Sequence, residues 1–204
     1  MRIVLLAIFI LVVPHVVRAQ LDFRSGTFQL KSSPETQRTG LLRLGSNLVV
    51  KQMQNGPAVK YPLEEVLTYH LGLRHYVRAS SFLMRSPSGW THEIANNTFV
   101  ELLDTGSVSL MRYEYVGQTS DKPIYLLQRV GEARATAIPY NAFDGAGQAF
   151  YDALAPYVAA RPDLLAVMQN KKVTIYSLHT FIHALNRKVP FLDYSMQGSS
   201  PSSK

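Results

Sequence analysis

The chain contains no cysteine among its 204 residues. Disulfide bonds, a thiol nucleophile and the cysteine-linked anchor of bacterial lipoproteins are therefore all excluded. Small exported proteins of animals usually carry disulfides, so a cysteine-free exported chain fits bacterial export better.

Long runs of basic residues are also missing, although basic residues outnumber acidic ones by 21 to 14. The formal charge is +7, and no five consecutive residues are basic. Zinc-finger spacing and the aromatic signature of RNA-binding domains are absent too. This pattern favours a solvated basic surface near an anionic glycan or lipid, and it argues against a nucleic-acid partner.

The sequence lacks the usual catalytic and cofactor motifs. It has no G-x-S-x-G elbow, and Gly145-Ala146-Gly147 is an incomplete dinucleotide fingerprint without a preceding parallel βαβ unit. We therefore expect no cofactor, assign no catalytic residue and favour a non-enzymatic protein.

The N-terminal segment 1–19 has the pattern of a signal peptide. Arg2 is followed by a nearly unbroken apolar run, Ile3 to Val17, and Ala19 predicts cleavage before Gln20. The apolar run is too short for a good membrane span, and no other stretch is long enough to be one. The predicted location is periplasmic or extracellular, and removal of Arg2 and Arg18 leaves a charge of +5.

The central stretch Thr98 to Val130 predicts three antiparallel strands joined by two turns, the first being Asp104-Thr105-Gly106. In the middle strand the apolar positions change phase between Leu110 and Met111. Because side chains alternate with a period of two, this change indicates a β-bulge or a strand covered on both faces.

The sequence pattern changes from strand to helix period near Asn141. We predict an α+β fold: an antiparallel β-sheet or partly closed barrel over 20–140, followed by two or three C-terminal helices. The helical segment, 141–190, is expected to pack on the sheet. The Ser-rich tail, 195–204, is predicted to be disordered.

Two groups of residues are candidate binding sites. His179 and His183 lie at i and i+4 on one predicted helix face, a spacing that can hold zinc. Thr180 stands where an H-E-x-x-H protease would have its glutamate base, and spacing indicates no third ligand. The densest basic group, with Arg74, Arg78 and Arg85, is the candidate anion-binding site. The alternative for the two histidines is that they are partly exposed polar residues beside an apolar stripe, with no metal. The alternative for the basic group is that it is a solvated strand surface that binds no anion.

A set of scattered positions carries a family resemblance. It comprises Phe23, Gly26, Phe28, Leu30, Gly40, Tyr61, Glu65-Val66, Phe99–Leu103, Gly106, Leu110–Tyr115, Pro162-Asp163-Leu164 and Asn186. Together they resemble a group of uncharacterised exported proteins common in Bacteroidetes-type bacteria. The resemblance implies an exported β-rich protein and brings no established activity and no catalytic residues.

Three functions stay open at this point. The first is an exported, non-enzymatic binding or envelope-associated domain. The second is a hydrolase or metal-binding protein that uses His179 and His183. The third is a carrier of a lipid or another small ligand.

Overall fold

The computed structural model describes residues 23–85, 91–94, 98–114, 123–139 and 147–192. The predicted signal peptide and the predicted disordered tail lie outside these residues. The α+β prediction is confirmed: antiparallel strands are followed by three C-terminal helices. The chain divides into two compact units, the first ending at Arg74 and the second beginning at His75. This boundary falls inside the segment predicted as one β domain.

The first unit is an antiparallel sheet. Its strands are β1 (Arg24–Leu30), β2 (Ser33–Leu44), β3 (Asn47–Lys51), β4 (Ala58–Pro62) and β5 (Val66–Leu71). They pair in the order β4-β3-β2-β1-β5. A single 3₁₀ turn at Leu63–Glu65 re-aims the chain between β4 and β5, at the place where the sequence predicts one helical turn. Phe28, Leu48 and Tyr69 are among the buried residues of this unit.

The second unit contains seven described strands and three helices. Its strands are β6 (Arg74–Arg78, starting at the last residue of the first unit), β7 (Phe82–Arg85), β8 (Thr91–Ile94), β9 (Phe99–Asp104), β10 (Val108–Tyr113), β11 (Ile124–Arg129) and β12 (Thr136–Ile138). Five of them pair in the order β6-β9-β10-β11-β12, and β7 pairs with β8. Within each unit the strand order is linear, so the described strands form open sheets and not a partly closed barrel.

Three helices follow the strands: α1 (Gln148–Val158), α2 (Pro162–Gln169) and α3 (Leu178–Arg187). Pro162 occupies the first helical position of α2, as its fixed φ favours. Helix α3 begins later than the sequence pattern predicts, because the backbone N–H of Thr174 donates to Ser177 Oγ and holds a turn there. None of the helices within the described ranges has the length and apolar character needed to cross a membrane.

Strand β10 is buried on both faces, and the phase change in its sequence has that cause. Leu110 packs with the helices on one face, and Met111 belongs to a separate apolar cluster on the other face. The register between β9 and β10 shifts between these two residues. The predicted bulge and the predicted coverage of both faces are therefore both present. Helix α3 packs on the face of β10 that carries Leu110.

Candidate functional site

The turn between β9 and β10 meets helix α3. Asp104 ends β9, and the next three residues carry the chain into β10. Helix α3 is strongly amphipathic: Leu178, Phe181 and Ile182 are fully buried against the sheet. Its polar residues at the edge of that buried face are thereby brought beside the turn.

The side chain of Asn186 joins α3 to this turn, and we call this set of contacts the Asn186 clamp. The Asn186 amide nitrogen donates to Asp104 Oδ1 and to the carbonyl oxygen of Val108, both at 2.7 Å. The Asn186 oxygen accepts from the Val108 N–H at 3.0 Å and from Ser107 Oγ at 3.2 Å. Every donor and acceptor pairs with a group of the opposite kind, so the clamp fixes the turn against the helix.

The two predicted metal ligands lie beside the clamp and face the same carboxylate. His183 Nδ1 lies 2.7 Å from Asp104 Oδ2, and His179 Nε2 lies 3.7 Å from the same oxygen. The Asp104 side chain is 7% exposed, whereas those of His179 and His183 are 58% and 50% exposed. A buried acceptor is thus covered by two imidazoles that remain open to solvent.

This arrangement sets the direction of the hydrogen bond between His183 and Asp104. An ionised carboxylate only accepts hydrogen bonds, so His183 Nδ1 is the donor in this contact. A histidine ring can act as a base or, as neutral imidazole, as a metal ligand through the nitrogen that carries no proton. Ser107 is not placed as a nucleophile, because its hydroxyl donates to Asn186.

The predicted anion-binding arginines, Arg74, Arg78 and Arg85, are divided between the two units. Arg78 places its guanidinium 4.9 Å from the centre of the Phe99 ring, in a cation–π contact. Arg74 belongs to the first unit, and Arg78 and Arg85 belong to the second. The side chain of Arg85 lies outside the described part of the structure. The anion-site prediction for these three residues therefore stays a prediction.

A cleft of about 680 Å³ lies next to the clamp, in the second unit. Ser107 and Val108 of the clamp form part of its wall. The rest comes from the end of β11, the end of α1, the loop to α2, the start of α2, and the end of α3 with the residues after it. The apolar residues of these segments are Pro156, Tyr157, Ala159, Ala160, Leu185 and Pro190. The clamp thus holds one wall of the cleft in place.

Three cations and one carboxylate line the cleft. Arg129 contacts Glu132 at 3.4 Å and the Tyr157 ring at 4.8 Å. Arg161 pairs with Asp163 at 2.6 Å, and it also donates to the Val189 carbonyl at 3.0 Å. Lys188 ends α3 in the left-handed conformation, with φ of 56°. The lining carries a net positive charge on largely apolar walls.

The Arg161–Asp163 pair predicts a measurable titration. Its hydrogen bonds lower the pKa of Asp163 from 3.8 to about 2. A lowered carboxyl pKa contributes stability that is present above the ordinary value and is lost as the pH falls through about 2. Carbon NMR of the Asp163 carboxyl should show this low midpoint, and Arg161→Gln should raise it toward 3.8. An unchanged midpoint in Arg161→Gln would contradict the assignment; Arg187→Gln is the control that should leave it unchanged.

Sequence reasoning found part of this site. The i, i+4 spacing identified His179 and His183 as one helix face, and the turn at Asp104 was predicted. Nothing in the sequence joined the two, since 79 residues separate Asp104 from His183. Arg129, Arg161 and Lys188 were missed as a group because they come from three separate segments.

No family model, curated protein or solved structure matches this chain.

Proposed function

We propose that this chain is an exported binding domain whose cleft holds a small organic anion. The observation that carries the proposal is the lining of the cleft, where Arg129, Arg161 and Lys188 stand around apolar walls. A ligand with one acidic group and an apolar body matches both parts of this lining. The proposed activity is binding without chemical conversion.

The dimensions support a small ligand. The cleft volume of about 680 Å³ lies within the roughly 300–1,000 Å³ that small-molecule sites occupy. Apolar walls with a few charged groups are also typical of such sites, since the walls supply affinity and the charges set orientation.

The three cationic side chains of the cleft differ in the contacts that they make. Arg129 and Arg161 are held by acidic neighbours and by backbone carbonyls. Lys188 has no such contact among the described residues. The ammonium group of Lys188 is therefore the cation that we expect to approach the acidic group of the ligand, while the two arginines are held in place by their carboxylate partners.

Export rests on the predicted signal peptide and on the resemblance to exported bacterial proteins. An exported protein that keeps a formal charge of +5 after loss of its signal peptide attracts acidic metabolites and acidic envelope components. The small acidic ligand that we propose belongs to the same chemical class as these attracted species.

The test uses hexanoate and its neutral analogue hexanamide as probes. The uniformly ¹⁵N-labelled chain is titrated with each probe at constant ionic strength, and amide chemical shifts are followed. We expect saturable shifts with hexanoate at cleft residues such as Ala160 and Leu185, and weaker binding of hexanamide, because it lacks the charge.

Lys188→Gln should weaken hexanoate binding about two- to fivefold, the range expected for loss of one exposed charge pair. Lys171→Gln is the matched control. Lys171 also follows a helix with positive φ, at 54°, but it does not line the cleft. Equal affinity of the two variants, or equal binding of the two probes, would contradict the proposal.

A further inference from the structure

Three side chains of metal-binding type meet at one carboxylate oxygen outside the cleft. His183 Nδ1 and His179 Nε2 lie 2.7 Å and 3.7 Å from Asp104 Oδ2. We propose that Asp104, His179 and His183 bind one zinc ion, with Asn186 orienting the carboxylate. The third ligand, which spacing in the sequence did not indicate, comes from the β9–β10 turn.

The distances are close to what a zinc ion needs. Zinc–nitrogen and zinc–oxygen bonds of about 2.0–2.2 Å in a tetrahedron place neighbouring ligand atoms about 3.3 Å apart. One observed separation from Asp104 Oδ2 is shorter than this value and the other is longer, each by about half an ångström.

In the present arrangement His183 is hydrogen-bonded to Asp104 at 2.7 Å, and His179, at 3.7 Å, lies beyond hydrogen-bond distance. Among the described residues, no group of three or more His, Cys, Asp or Glu side chains is placed so that it could hold a metal ion, and this includes Asp104, His179 and His183 as they stand. Binding therefore requires the two rings to turn. Both imidazoles are at least half exposed, at 58% and 50%, so solvent leaves them room for this rotation.

The carboxylate, in contrast, is held in place. Asn186 donates to Asp104 Oδ1 at 2.7 Å, which leaves Oδ2 directed toward the histidines. Metal-binding carboxylates are typically oriented in this way by a neighbouring donor, and loss of such a donor weakens metal affinity. This contact is a second observation that fits a ligand role for Asp104.

The donor set favours zinc over calcium and magnesium. Two imidazoles and one carboxylate are typical of zinc sites with three protein ligands and a fourth position for water. Calcium and magnesium prefer oxygen ligands alone. Zinc would take the place of the proton on His183 Nδ1, and the ring would bind the ion as neutral imidazole with its one proton on Nε2.

The experiment is a calorimetric titration of the full chain, untagged and washed with chelator, with zinc chloride. We expect one zinc ion per chain. His179→Gln and His183→Gln should each weaken binding at least about tenfold, in line with the loss of one of three ligands. His70→Gln in the first unit is the matched histidine control and should bind as the unaltered chain does.

Histidine NMR of the unaltered chain provides a second test that needs no variant. Zinc should shift the imidazole NMR signals of His179 and His183 and leave that of His70 unchanged. Binding without saturation, or affinity that is equal in both histidine variants and in the unaltered chain, would overturn the proposal. Anion binding is measured on metal-free protein, so the failure of either proposal leaves the other tested independently.

Discussion

Replacing Asn186 with alanine should lower the free energy of unfolding of the second unit by about 2–4 kcal/mol. The substitution removes four hydrogen bonds at once. It leaves Asp104 Oδ1 and both backbone groups of Val108 without their partner. A part-buried group that loses its partner costs about 1–3 kcal/mol, and water entering the space recovers some of that loss.

Urea unfolding read by hydrogen exchange of peptides from β10 and α3 would measure this loss in the unit concerned. Asn170→Ala is the matched control. Asn170 is exposed, and its side chain makes one local hydrogen bond, to the Ala166 carbonyl. Its loss should change stability by no more than about 0.5 kcal/mol. Similar effects of the two variants would show that the clamp does not stabilise the unit.

Gly106→Ala should destabilise the same unit by about 2–3 kcal/mol. A Cβ atom at position 106 would lie 2.6–2.7 Å from Cγ, Cβ and Oδ1 of Asn186. Because the Asn186 Cβ is fixed to the helix backbone, rotation of the side chain does not relieve the overlap. Either α3 or the turn must shift, and the shift breaks the clamp. The need for glycine here is one of space, since Gly106 is not among the residues with positive φ.

Gly45→Ala is the control for this prediction, because a Cβ at position 45 would meet nothing within 4 Å. The double variant Gly106→Ala/Asn186→Ala adds a second test. Both changes disrupt the same contact, so their combined cost should fall below the sum of the single costs by at least about 0.5 kcal/mol. Additive costs, or equal destabilisation by Gly45→Ala, would contradict the close approach of turn and helix.

Much of the fold follows from local sequence pattern. The change of phase in β10 indicated a bulge or double coverage, and Leu110 and Met111 are indeed buried in opposite apolar clusters. Pro162 marked the start of α2. The start of α3 was placed too early because apolar periodicity from Thr174 onward fits a helix, whereas the Thr174–Ser177 hydrogen bonds hold a turn.

The division into two units was not visible in the sequence. Both units use short antiparallel strands with similar turn residues, so the composition does not change at Arg74. The change that composition does show, near Asn141, marks the start of the helical segment.

The sequence predicted the two histidines of the site but not the carboxylate that they face. Helical periodicity places His179 and His183 on one face without any tertiary information. The partner carboxylate depends on how α3 packs against the sheet, and a contact between residues 79 apart leaves no local pattern. The cleft could not be predicted from the sequence either, because its cations lie in separate segments of the chain. They become neighbours only when β11, α1, α2 and α3 pack together.

The clamp and the cleft share two residues, Ser107 and Val108. Loss of Asn186 should therefore loosen the cleft wall as well as the turn. One wall of the cleft therefore depends on the contact between β10 and α3, and the proposed anion binding should depend on Asn186, which does not line the cleft.

Intermolecular nuclear Overhauser effects between hexanoate and the methyl groups of the labelled chain test the central claim most directly. The account predicts contacts from the hexanoate chain to the methyl groups of Val108 and Leu185, which both line the cleft. Contacts confined to methyl groups elsewhere on the chain, or none at saturating hexanoate, would contradict anion binding in this cleft.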